Sequence, residues 1–167
     1  MPITVLNKQH DRKKFDCGTP ALNEFLKKTA RQHSERDISR TFVLTEDNYP
    51  TDIIGYHTIT LSEVYSPSGS PLDKYPHKLP VLKVARLAVD VSYQRRGVVG
   101  FLIADIMSKA IQTHDITPIM GLVVDAKDQA AKAFYQSFGF LEVEAEEEGN
   151  EFYLWLPMQT IRESLLE

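Results

Sequence analysis

The sequence predicts an α+β fold, an α/β arrangement on a mixed sheet, and three observations carry the prediction. Two pairs of β-rich runs are joined by turn-forming segments, other strand-like runs are joined through helical patterns, and the chain is long enough for its own core. Antiparallel hairpins and strand–helix–strand crossovers in one chain demand both kinds of strand pairing. At 167 residues the chain suits one domain spanning 1–167, a size that buries about 68–70% of its unfolded surface. A content of 43% hydrophobic and 25% charged residues excludes disorder or a collagen-like fibre for the whole chain. Cys17 is the only cysteine, which excludes an intramolecular disulfide and makes the cytoplasm the expected compartment.

The elements follow in order. Thr19-Pro20 reads as an N-cap followed by proline at the first helical position. Leu22, Phe25, Leu26 and Ala30 then recur at helical spacing, so a helix is predicted to about His33. Thr41–Thr45 and Ile53–Leu61 are β-rich, and Asp47–Asp52 between them has turn chemistry, which predicts a hairpin. Tyr65–Pro80 holds prolines at 67, 71, 76 and 80; neither helix nor central strand runs through it, and it reads as a long loop within the domain. Val81–Val89 is a strand and Gly97 to about Thr113 a helix. Ile119–Val124 reads as a buried strand and Asp128–Ser137 as an alanine-rich helix. Phe140–Val143 and Phe152–Leu156 flank the acidic turn Glu146–Asn150, and Met158–Leu166 is a final helix. The order, opening on a strand, is β-α-β-β-loop-β-α-β-α-β-β-α.

With 23 acidic against 19 basic residues the net charge is −4, which gives no global argument for nucleic acid or an anionic membrane. No segment approaches the roughly 18 uncharged apolar residues of a membrane helix, and Met1–Lys14 lacks the apolar core of a secretory signal. The five histidines, at 10, 33, 57, 77 and 114, show no His-x-x-x-His spacing, so no metal is expected.

Arg86-Leu-Ala-Val-Asp-Val-Ser-Tyr-Gln-Arg-Arg-Gly-Val-Val-Gly100 is the most informative stretch. A strand ends near Asp90, a polar turn follows, and a helix opens near Gly97. The first turn of a helix leaves N–H groups unpaired and turns its positive dipole end outward, a main-chain phosphate site. Gly97 and Gly100 allow close approach of a ligand, and Arg95 and Arg96 add charge. From Lys74 to Arg96 there are six basic residues and one acidic. An ordinary strand-to-helix turn with solvated arginines explains the same residues equally well. A Walker loop is absent, and Gly97 with Gly100 supplies only part of a dinucleotide fingerprint.

A second segment, Val124 to Phe140, places a strand, a turn and a helix ending in Tyr-x-x-x-Gly-Phe. Together the two resemble the GNAT superfamily of acetyl-CoA-dependent N-acetyltransferases. Gln94-Arg-Arg-Gly-Val-Val99 is similar to its Gln/Arg-x-x-Gly-x-Gly/Ala signature, and Asp128–Phe140 to its Asn-x-x-Ala-x-x-Phe-Tyr-x-x-x-Gly-Phe pattern. Val99 departs from the usual glycine or alanine, and Asp128 from asparagine. The resemblance implies a mixed, centrally splayed sheet flanked by helices, with acetyl-CoA as cosubstrate. It implies that main chain at Leu87, Ala88 and Val89 pairs with the pantetheine arm. Main chain at Gln94, Arg95, Arg96, Gly97, Val98, Val99 and Gly100 would hold the diphosphate, with Asp128 also on the cofactor side. Tyr135 would be the general acid, since a phenol of pKa about 10 keeps its proton at neutral pH; packing beside Phe134 and Phe138 is its alternative role.

The N-terminal half is similar to one branch, the GNAT toxins of bacterial toxin–antitoxin pairs, which acetylate aminoacyl-tRNA. The strings are Phe15-Asp-Cys-Gly18, Leu22-Asn-Glu-Phe-Leu26, Ser39-Arg-Thr-Phe-Val43, Ile54-Gly-Tyr56 and Arg86-Leu-Ala-Val-Asp90. That branch implies an aminoacyl-tRNA acceptor and an antitoxin partner; a homodimer is one of the assemblies open to the chain. A small-molecule or peptide amine is the alternative acceptor, and a catalytically weak binding module the alternative class. An α-amine titrates near 7.7–8.0, so no strong base is required; Glu63 and His57 are the candidates. For tRNA, the predicted basic face is Arg12, Lys13, Lys14, Lys27, Lys28, Arg31, Arg36 and Arg40, for which a solvated helix face is the plainer reading. Cys17 lacks a His–acid pair in sequence and reads as a buried thiol.

Overall fold

The computed structural model describes residues 1–65, 78–143 and 152–165. Most of the proline-rich loop, the acidic turn 146–150 and His77 lie outside the described residues. The elements are β1 (Ile3–Val5), α1 (Pro20–Glu24), a π-helical turn (Phe25–Thr29), α2 (Ala30–Glu35), β2 (Arg40–Glu46), β3 (Tyr49–Tyr65), β4 (Lys78–Val89), a 3-10 turn (Val91–Tyr93), α3 (Val98–Ile116), β5 (Gly121–Ala126), α4 (Gln129–Gln136), β6 (Leu141–Val143), β7 (Phe152–Pro157) and α5 (Met158–Leu165). The strand order is β1-β2-β3-β4-β5-β7-β6. The sheet is mixed as predicted: β4 and β5 pair in parallel, whereas β1–β2, β2–β3, β5–β7 and β6–β7 are antiparallel.

The chain divides into two compact units, Met1–Thr60 with Val84–Ile106, and Leu61–Lys83 with Met107–Glu167. In the first, the predicted single helix of residues 19–33 is interrupted. The Ala30 N–H donates to the Phe25 carbonyl, the i→i+5 closure of a π-turn, a feature frequent at functional sites. Thr19 has the extended backbone of an N-cap, but its side chain makes no cap bond; its carbonyl takes the Leu22 and Asn23 N–H groups instead. The predicted turn Asp47–Asp52 contracts to two residues, and β3 already begins at Tyr49. Register shifts at Leu44/Thr45 and Thr45/Glu46 absorb the surplus residues as a bulge. That slip explains why Ile53 and Tyr56, of opposite parity, join one apolar cluster with Phe15, Phe25, Leu26, Val43 and Ala88, while Ile54 joins Leu44, Val98 and Leu102 in another. Gly55 is required between them: a Cβ there would lie 3.0 Å from the Ala88 carbonyl oxygen and 3.1 Å from a Leu102 methyl.

In the second unit the pairs Leu82–Leu122 and Lys83–Val123 form the parallel ladder. Val123, Val81, Leu79 and Val64 make its core cluster, with Met120, Tyr153 and Trp155 against it. The Trp155 indole donates to the Met120 carbonyl at 2.9 Å, satisfying the one polar atom of a large apolar side chain.

Candidate functional site

In the first unit β4 ends at Val89 and α3 begins at Val98, one residue after the glycine at which the sequence placed it. Between them Asp90 opens the 3-10 turn by accepting the Ser92 N–H on Oδ1 at 2.9 Å. Arg95 then adopts φ +63° and Gly97 φ +75°. Left-handed residues among ordinary ones turn successive N–H groups toward one side and make a concave anion site. Gly97, in the cap position, has no side chain to fill it. The Gly100 N–H returns to the Gly97 carbonyl at 3.1 Å, while the helix leaves the preceding amides without intrahelical partners.

The backbone at Gly97 is open on the side where a side chain would stand. Apart from Gly97 and its chain neighbours Arg96 and Val98, no heavy atom, the Val99 side chain included, lies within 4 Å of where a Cβ on Gly97 would sit. Val98 faces the core at 3% exposure, packed with Leu44, Ile54 and Leu102. Val99 is half-buried, and its side chain lies more than 4 Å from that position at Gly97. Arg95 and Arg96 are exposed, with the Arg96 guanidinium 5.6 Å from the centre of the Tyr93 ring.

On β4, Ala88 is buried while Leu87 and Val89 are half-buried. The Val89 carbonyl accepts the Gln94 side-chain amide at 2.9 Å, and the same amide donates to the Cys17 carbonyl at 2.9 Å. Gln94 thus binds protein carbonyls through its side chain, a role the sequence did not predict. Arg86 lies half-buried with its guanidinium carbon 3.6 Å from the centre of the Phe25 ring. Asp16, Asn23 and Asp90, which bond to this turn or to the segment tied to it, were read in the sequence only as marks of kinship.

In the second unit Asp128 caps α4, its Oδ1 accepting the Ala131 N–H at 2.8 Å. The aspartate performs the cap that asparagine would. Tyr135 lies on the last turn of α4, its ring edge-on to Phe134 at 5.0 Å and to Phe140 at 5.4 Å. Gly139, at φ +99°, lets the chain double back so that the Phe140 N–H reaches the Tyr135 carbonyl at 3.3 Å; this is what the Gly-Phe of the motif builds. Burial pushes the Tyr135 phenol up to about 12, and its hydroxyl has no hydrogen-bond partner among the described residues. The phenol therefore keeps its proton at neutral pH.

The base candidates separate. His57 lies in the middle of β3, not at its end, and is fully buried, with Nε2 2.7 Å from Asp105 Oδ2 and its ring stacked on Phe42. It is a structural pair. Glu63 is exposed. Cys17 is buried, its thiol donating to the Thr19 carbonyl at 3.6 Å. Among the described residues no group of three or more His, Cys, Asp or Glu could hold a metal, and no helix is long and apolar enough to cross a membrane. The basic face is thinner than its sequence count: Lys14 pairs with Asp11 and Asp52, Lys28 with Glu24 and Arg31 with Glu35.

Comparison with known proteins agrees with this geometry. The model of the acetyltransferase (GNAT) domain matches residues 14–162. A tRNA-acetylating toxin of Mycobacterium tuberculosis is 30% identical over 128 residues, 75% of each chain. The solved structure of the toxin AtaT complexed with acetyl-methionyl-tRNAfMet is 31% identical, with TM-score 0.87 and 99% of both chains covered. A tyrosine-to-phenylalanine mutant of AtaT, bound to the C-terminus of the antitoxin AtaR and to acetyl-CoA, is 27% identical with TM-score 0.83, covering 99% of this chain and 98% of that one. The chain belongs to the GNAT acetyltransferase family, within its branch of GNAT toxins.

Proposed function

We propose that this protein transfers the acetyl group of acetyl-CoA to the α-amine of an aminoacyl-tRNA, and that it is the toxin of a pair with an antitoxin. The observation that carries the reading is the uncapped amino end of α3, with Arg95 and Gly97 left-handed before it and open space at Gly97. Relatives named for tRNA acetylation, or solved with acetyl-methionyl-tRNA, acetyl-CoA and an antitoxin segment, support it. In this reading residues 1–167 act as one domain, in the cytoplasm.

Acetyl-CoA supplies the activated acyl group when bound. Main chain from Gln94 to Gly100 holds its diphosphate through amides and the α3 dipole, with Arg95 and Arg96 adding charge. Main chain at Leu87, Ala88 and Val89 orients the arm and the thioester carbonyl, and Asp128 secures the helix that carries Tyr135. The neutral amine attacks the carbonyl carbon, so a C–N bond forms and the C–S bond breaks. Tyr135 gives its proton to the departing sulfur, and the amine's surplus proton passes to solvent and restores the phenol. An α-amine near pKa 7.7–8.0 is substantially neutral at cellular pH, which fits a site whose buried histidine is already committed to Asp105.

The test is transfer of radiolabelled acetyl groups to a panel of charged tRNAs, peptides and polyamines. Label appearing on aminoacyl-tRNA, with binding that weakens as salt rises, is the expected result. Label confined to peptides or polyamines would replace the acceptor, and label on none would remove the transferase assignment.

A further inference from the structure

Two residues before α1, Asp16 and Cys17, are bonded to the turn that precedes α3, across 74 or more positions of sequence. The Asp16 N–H donates to Asp90 Oδ2 at 3.1 Å, the Val91 N–H donates to the Asp16 carbonyl at 2.8 Å, and Gln94 Nε2 donates to the Cys17 carbonyl at 2.9 Å. On its other side the same segment is fastened to α1. Asp16 Oδ1 accepts from Asn23 Nδ2 and from the Gly18 N–H, both at 2.9 Å, and Asn23 Oδ1 accepts the Cys17 N–H at 2.9 Å. The Asp90 N–H donates to the Ile54 carbonyl at 2.8 Å, anchoring the turn to β3 as well. The hydrogen bonds from Asn23 and Gly18 hold the Asp16 carboxyl below the usual carboxylate range.

The chemistry of acetyl transfer uses none of Asp16, Cys17, Gly18 or Asn23. We infer that they form a strap whose function is positional: Asp16 and Asn23, acting through Asp90 and Gln94, hold the 90–97 turn in its anion-binding conformation before any ligand arrives. The inference rests on the reading of that turn as the diphosphate site. Its physical basis is the cost of the turn itself. Left-handed backbone at Arg95, where a side chain is present, is a minor conformation in an unrestrained chain. Ties outside the turn keep it populated, and apparent affinity scales with the populated fraction. Because the strap also launches α1, the backbone of that helix and the cofactor turn are positioned by one set of bonds.

The test compares acetyl-CoA with S-acetylpantetheine, which carries the thioester and the arm but no diphosphate. If Asn23→Ala reduces the ordered fraction of the turn to about a third, kcat/KM for acetyl-CoA falls about threefold through KM, while that for S-acetylpantetheine stays within about twofold. Gln94→Met, which keeps the shape of the side chain and removes its donor, gives a larger loss of acetyl-CoA affinity by calorimetry, about tenfold on the same arithmetic. Without ligand, hydrogen exchange at the Gly100 amide should speed up in both variants. Equal losses for the two acetyl donors, or unchanged acetyl-CoA affinity with unchanged exchange, would overturn the strap. A wild-type protein that binds neither acetyl-CoA nor CoA would instead overturn the cofactor reading, while the exchange experiment would still report on the turn.

Discussion

Two strand-to-helix turns in this chain are built in opposite ways. Where β5 passes into α4, Asp128 puts its own carboxylate oxygen on the Ala131 amide. That helix end is closed by the protein's own negative charge. Where β4 passes into α3, the cap position is Gly97, the first turn of the helix holds no acidic residue, and two arginines stand beside it. One amino end is filled by a side chain of the protein itself and the other is not. The same sequence event, a short polar turn before a helix, therefore has two meanings. The side chain at the cap position separates them. On the proposed reading the closed helix carries the proton donor, which needs a fixed support, and the open one receives the charged ligand.

The sharpest way to test the division is at the closed helix. Tyr135→Phe should lower kcat by about 10²–10³ and leave acetyl-CoA affinity within about twofold, as measured by steady-state kinetics and calorimetry. The pH profile of the wild-type protein adds a second reading. Burial raises the phenol to about 12, so the acid stays protonated below that value and is lost only as pH climbs toward it. kcat/KM should rise through about pH 8 as the acceptor α-amine loses its proton, then hold level past pH 10. A falling limb near pH 10 would show that Tyr135 titrates as it does in water.

At the open helix the largest effect comes from Gly97→Val. A β-branched side chain at φ +75° costs about 1–2 kcal/mol, and relaxation of the turn should weaken acetyl-CoA binding by roughly tenfold or more by calorimetry. Closing the comparison, Asp128→Ala removes a cap worth about 1 kcal/mol. For a chain of this size that lowers Tm by about 2–4 °C in a thermal melt, and Asp128→Asn, which restores the acceptor oxygen, should recover it.

How much of this was legible in the sequence follows from the range of the interactions. α3, α4 and their preceding strands were legible because apolar spacing, glycines and alanine-rich composition act within a few residues. Tyr135 stood out only through the family pattern it shares with Gly139 and Phe140; the left-handed Gly139 that brings Phe140 against it is a structural finding. The start of β3 was misread, since Asp47-Asn-Tyr-Pro-Thr-Asp52 has the composition of a long turn. Pairing of Glu46 with Tyr49 draws part of it into a bulged strand, and only the partner strand could reveal that. Asp16, Asn23 and Gln94 were all quoted in motifs, yet their partnership joins distant segments and leaves no local periodicity. The buried pairing of His57 with Asp105 was hidden for the same reason.

Arg95 illustrates what such a turn asks of its host. Glycine at this position would relieve the torsional penalty of φ +63°, at the loss of a guanidinium beside the helix mouth. Laboratory evolution that rewards heat tolerance alone would accept Arg95→Gly readily, whereas selection for the proposed acetyl-CoA binding would reject it. On the proposed reading, the residue marks a point where durability and ligand binding pull the chain in opposite directions.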